Sequence, residues 1–115
     1  MLMTLTDVPG KALLALPLLM ADPAYAQDEV EIVIQRLSDT VSVLFSEGGN
    51  IGVFAGPDGV LIIDDQYDGD GEKIAMAVAS FTDKPIDYVL NTHWHFDHAG
   101  SNDYFGQAGS TIIAH

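Results

Sequence analysis

The chain contains no cysteine. That excludes a disulfide framework, a thiolate-ligated zinc site and a cysteine nucleophile. Basic residues are almost as scarce: four Lys and Arg stand against 17 Asp and Glu, a formal net charge of −13. A chain so acidic repels polyanions, which argues against nucleic acid or an anionic membrane surface as a partner. Long hydrophobic runs are missing too. The apolar stretch 12–20 falls short of the roughly 20 residues that span a bilayer, and Pro17 interrupts it. There is no repeat or low-complexity tract, and 115 residues with 48% hydrophobic content is the size of one domain.

Histidine is also rare, with four in all, yet three of them fall in the ten residues Asn91-Thr92-His93-Trp94-His95-Phe96-Asp97-His98-Ala99-Gly100. The spacing is HxHxDH. Imidazole nitrogen and carboxylate oxygen are ligands that a borderline metal such as zinc accepts, and one short segment supplies four of them. In an extended chain side chains alternate with period two, so His93 and His95 leave the backbone on one side and can grip one ion. His98 points the other way unless the chain curls after His95. The small residues Ala99 and Gly100 permit that curl, which would present Asp97 and His98 to a second ion about 3.5 to 4 Å from the first. The competing reading is a set of loop histidines at a solvated strand end. Four ligand side chains in register after an apolar strand weigh against it.

At these residues the sequence resembles the metallo-β-lactamase superfamily of zinc-dependent hydrolases, whose HxHxDH signature it matches at every specified position. The stretches Gly48-Gly49-Asn50-Ile51-Gly52-Val53 and Gly59-Val60-Leu61-Ile62-Ile63-Asp64-Asp65 look like that superfamily's early hairpin and its strand ending in aspartate. The resemblance runs from about Val30 to His115. It implies an α+β fold, the αββα four-layer sandwich, of which only the N-terminal half is present. It implies further that His93 and His95 take the first metal position, that Asp97 and His98 take the second, and that Asp97 acts catalytically by holding the attacking water. Asp64 resembles the aspartate that supports the metal loop by accepting hydrogen bonds from its backbone, a role that suits a carboxylate ending a buried strand. Asp65 reads as a solvated strand-end acid.

Upstream, Lys11, the apolar run from Ala12 and the small-residue site Ala24-Tyr25-Ala26 form a secretory signal peptide. The expected division is therefore a signal peptide at 1–26, cleaved near Ala26, and an N-terminal portion of the metallo-hydrolase domain at 27–115, truncated at the C-terminus. A periplasmic or secreted location follows. Asp7 opposing Lys11 makes the start of this leader imperfect, and a buried N-terminal helix is the alternative.

Along the mature chain, Val30, Ile32 and Ile34 alternate as a half-buried strand, and Val41-Ser42-Val43-Leu44-Phe45 makes a second. The turn Gly56-Pro57-Asp58-Gly59 joins strands 50–55 and 60–64 as a hairpin. Val60-Leu61-Ile62-Ile63 is apolar on both faces and predicts a centrally buried strand. Asp68-Gly69-Asp70-Gly71 reads as a loop and helix cap, because the rest of a calcium loop is missing. Ile74, Ala75, Val78 and Phe81 predict an amphipathic helix ending near Thr82, with Met76 and Ala79 packing beside them. Ile86, Tyr88 and Leu90 alternate into the strand that delivers Thr92 and His93. Residues 101–105 predict one or two helical turns, and 111–114 a short strand. Trp94 and Phe96 either shape a substrate pocket or merely cover the loop, and His115 reads as a strand-end histidine near the site.

The function implied is hydrolysis by a metal-activated water, with one or two Zn2+ ions as cofactor and a small-molecule lactam, lactone or ester as substrate. The exported location favours these over a cytosolic thioester. His and Asp ligands suit iron as well, so a mononuclear iron enzyme resembling the persulfide dioxygenases of the same scaffold stays open, as does a non-catalytic metal-binding fragment. The superfamily's remaining ligands come from segments downstream of those present, so these residues alone are expected to be inactive. Metal affinity is expected to fall as pH drops through about 6.5, where imidazole takes up protons.

Overall fold

A computed structural model describes residues 31–115. The signal peptide expected at 1–26, and Val30, lie outside the described residues. The elements run β1 (Val33–Arg36), β2 (Val41–Phe45), β3 (Ile51–Gly56), β4 (Gly59–Ile63), α1 (Gly71–Ala79), β5 (Tyr88–Leu90), α2 (Phe96–Ala99), α3 (Asn102–Gln107) and β6 (Thr111–Ile113). No described helix is long and apolar enough to cross a membrane.

The strands form one six-stranded sheet in sequence order. β1 to β4 are antiparallel neighbours, while β5 and β6 join in parallel after helical crossovers. The β3–β4 turn falls where Pro57 and Asp58 predict it. Gly59 has φ +146°, a conformation other residues resist, and a side chain there would collide with the carboxylate of Asp87, which accepts a hydrogen bond from Val60 N at 2.9 Å. Mixed pairing is what an αβ crossover onto an antiparallel meander produces.

The core lies on one face. Leu44, Ile51, Val53, Val60, Ile62 and Val89 pack there with Ile74 and Val78 from α1 and Phe105 from α3. The register sets Val53, Ile62, Val89 and Ile112 side by side across four strands. Three expectations need correcting. β4 is central in the sheet but buried on one face only, since Ile63 is exposed on the other. β5 buries Val89, not Tyr88: within the strand Tyr88 and Leu90 take the face away from the helices, while Ile86, before the strand begins, packs against the core. On α1, Met76 and Ala79 are exposed: Ile74 and Val78 are the buried stripe, Ala75 and Phe81 pack against the core as expected, and the helix stops at Ala79.

Candidate metal centre

β5 ends in a polar turn held from both sides. Asn91 N donates to Ile113 O of β6 at 2.9 Å, which continues the sheet by one residue. The Asn91 side chain accepts from Asn102 Nδ2 at 2.7 Å. The chain bends at Thr92 and His93, is extended at His95 (φ −61°, ψ 142°) and then closes into the single turn of α2, with His98 N and Ala99 N both donating to His95 O. The curl expected after His95 is this turn. Gly100 serves it differently from the expectation: its φ of −70° is ordinary, and its value is space, because a side chain there would strike the backbone of Tyr67, Asp68 and Phe96.

The turn gathers the imidazoles. The His93 ring lies 4.7 Å from that of His95 and 4.1 Å from that of His98. His98 Nε2 stands 3.4 Å from Asp97 Oδ2. Asp64, His93 and His98 each offer one donor atom within 4.8 Å of one another. His95 lies at the exposed rim beside Trp94, with ring centroids 4.9 Å apart. Of the four residues expected at two ion positions, the loop thus brings His93 and His98 together with Asp64, which follows β4, while His95 and Asp97 stand beside this group without joining it.

Asp64 has three donors. Its Oδ1 accepts from Thr92 N at 2.8 Å, and its Oδ2 lies 2.8 Å from both Thr92 Oγ1 and His98 Nδ1. Burial alone would raise its pKa, but the Thr92 amide, the His98 and Thr92 side chains and the charge of His98 outweigh it and hold the carboxyl below its usual range. An ionised carboxylate only accepts, so Nδ1 of His98 carries the hydrogen of that bond and Nε2 is the ring nitrogen left for an ion.

The next two residues were read wrongly or passed over in the sequence. Asp65 is not solvated: it is fully buried, its N donates to His98 O, and its Oδ1 accepts from Ser101 N at 3.0 Å. Its Oδ2 finds no partner. Desolvation, only partly offset by Ser101 and reinforced by the neighbouring charge of Asp64, pushes its pKa up to about 6. Gln66, also fully buried and at φ +63°, accepts from Gly48 N, donates to Gly49 O, and receives Gly100 N at its carbonyl. Asp64, Asp65 and Gln66 therefore tie three segments together: the start of the metal loop, its end, and the β2–β3 turn. The tie brings Gly49 onto the face of His98, where any side chain would collide with the ring. The only sequence signal for this was a run of polar residues directly after an apolar strand.

Around the centre, Trp94 is 81% and Phe96 72% exposed. Neither covers the loop. A cavity of about 440 Å³ opens beside His93, walled by Trp94, Ala99, Asn102, Ala114 and His115. Tyr67 leans on Phe96 from the opposite side, 6.0 Å between ring centroids.

A family model described as the metallo-beta-lactamase superfamily matches residues 46–115, which holds the glycine turn, the Asp64 strand end and the histidine loop. The chain belongs to this superfamily. Solved structures of similar fold include a subclass B3 metallo-beta-lactamase of Bradyrhizobium japonicum, at 23% identity and TM-score 0.61 over 69% of this chain and 31% of that one. A beta-lactamase from Chitinophaga pinensis gives 18% identity and TM-score 0.65 over 79% of this chain and 36% of that one. A metallo-beta-lactamase of Pseudomonas aeruginosa in its mono-zinc form gives 19% and 0.65 over 74% and 42%. No curated protein matches. The chain spans about a third of the length of the first of these structures, so its six strands and helices are one part of the superfamily fold.

Proposed function

We propose that this superfamily segment is the metal-binding part of a zinc-dependent hydrolase that cleaves a small-molecule lactam, lactone or ester with an activated water. The observation that supports the reading best is the cluster of Asp64, His93 and His98, whose ligand atoms lie within 4.8 Å of one another, with His95 and Asp97 beside it. The donor set fits zinc: neutral imidazoles and carboxylates with no thiolate. His93 and His95 would hold one ion, and Asp97 and His98 a second. When bound, zinc supplies Lewis acidity that polarises a carbonyl and brings the ionisation of water towards neutral pH.

The chain's own residues supply the rest. Asp64 orients His98 by accepting from its Nδ1, which leaves Nε2 as the nitrogen for the metal. Asp97 Oδ2, close to that nitrogen, is placed to accept a hydrogen bond from the attacking water and hold it in line. Trp94 and Phe96, both largely exposed beside the centre, offer apolar surface for a substrate to cover.

Elemental analysis of protein purified without added metal, with hydrolysis assays on a chromogenic lactam and a lactone, tests the reading. The assays compare this chain with one extended to the length of its structural relatives. Zinc in both, turnover only in the extended protein, and loss of turnover on chelation or on His98→Ala are expected. Iron in place of zinc, or an extended protein that hydrolyses neither substrate class, overturns it.

A further inference from the structure

The Thr92 hydroxyl stands between two groups that compete for it. It lies 2.8 Å from Asp64 Oδ2 and 3.1 Å from Oδ1 on one side, and 2.8 Å from Nδ1 of His93 on the other. A hydroxyl has one hydrogen to give and lone pairs with which to accept. The carboxylate can only accept, and donation to a charged oxygen is the stronger bond. The hydrogen therefore goes to Asp64. Only a lone pair then faces His93, and a contact of 2.8 Å between two lone pairs would be repulsive, so Nδ1 of His93 must donate.

We propose that Thr92 is a positioning residue whose hydroxyl, spent on Asp64, locks His93 in the Nδ1–H tautomer and leaves Nε2 as its metal-binding atom. Asp64 then sets two imidazoles at once. It acts on His98 directly through Nδ1 and on His93 through the Thr92 hydroxyl. Both rings present the same kind of nitrogen, unprotonated, without waiting for an ion to select it. The Thr92 amide fixes the arrangement independently of the side chain, since it donates to Asp64 Oδ1 whatever residue stands at that position. A change of hydroxyl thus tests the relay without removing the backbone anchor.

The inference rests on the metal reading for its purpose but not for its test, because the tautomer is read in metal-free protein. Histidine 15N labelling of the chain at about pH 8, above the range in which imidazole protonates, distinguishes protonated from unprotonated ring nitrogens by their long-range proton couplings. His93 is expected to show a protonated Nδ1 and an unprotonated Nε2 in the native chain and in Thr92→Ser. Thr92→Val, close in shape, should release His93 into a mixture of tautomers and weaken Co2+ binding about tenfold to a hundredfold, with Thr92→Ser restoring both. A native His93 protonated at Nε2 overturns the proposal without need of any variant. So does a folded Thr92→Val protein with unchanged tautomer or unchanged Co2+ affinity. A native chain that takes up no Co2+ sinks the metal reading instead, and leaves the tautomer to be judged alone.

Discussion

On one face of the sheet Val53, Ile62 and Val89 are sealed beneath α1 and α3; on the other, Phe54, Ile63, Tyr88 and Ile113 stand 46, 38, 47 and 45% exposed. The two faces use the same residue types, often in adjacent positions of one strand. What separates them is whether an element of the described chain returns to cover them. α1 and the α2–α3 segment are crossovers to parallel strands, and a crossover can pack on one side only. At about 25 cal/mol per Å² of apolar surface, the uncovered face is a favourable site for a second apolar layer, the one that the sandwich of this superfamily would place there. The metal loop sits at the end of the sealed face, where the chain can bury polar groups and position them.

The strongest way to break this comparison is to truncate one residue on each side of β4. Ile62→Ala should cost about 2 to 5 kcal/mol of stability, because it leaves a cavity under α1, whereas Ile63→Ala should cost less than about 1 kcal/mol. Urea denaturation of both variants reads the difference; equal losses would mean the faces are not distinct in solution.

A somewhat smaller effect sharpens the account of the sealed side. Asp65 has its folded pKa raised to about 6, so it favours the folded state most fully below the ordinary carboxylate range. That contribution is lost as pH rises towards about 6, at a cost of about 2 to 3 kcal/mol. Asp64 runs the other way: its lowered pKa stabilises the fold above the ordinary carboxylate range and is lost as pH falls through its folded value. Denaturation midpoints between about pH 4 and 7 should therefore decline with pH through Asp65, and Asp65→Asn should flatten that slope. A slope unchanged in the variant would place the titration elsewhere.

The smallest expected effect lies on the open face. Tyr88→Ser should leave the stability of the monomer within about 0.5 kcal/mol while reducing any self-association seen by sedimentation. A large loss of monomer stability would show that something covers Tyr88 after all.

Much of this was legible beforehand, and for local reasons. β2 is five alternating residues, the β3–β4 turn follows from Gly56-Pro57-Asp58-Gly59, and α1 from the spacing of Ile74 and Val78. Such features depend on neighbours a few positions apart. The candidate ligands stood out for the same reason, since His93, His95, Asp97 and His98 lie within one short stretch. Asp65 was misread because a carboxylate after a strand is usually wet, and only the return of Ser101, 36 residues on, buries it. Gln66 was passed over because its partners at Gly48 and Gly49 lie 18 and 17 residues back.

The order of residues thus settled by itself which side chains are available to bind an ion and which segments become strand or helix. Folding in three dimensions decided which face of each strand is dry, which of two adjacent aspartates has its pKa raised and which lowered, and that Asp64 meets His98 across 34 positions. The reason is physical: periodicity and turn chemistry act within a few residues, whereas burial and the direction of a shared hydrogen depend on groups that only packing brings together.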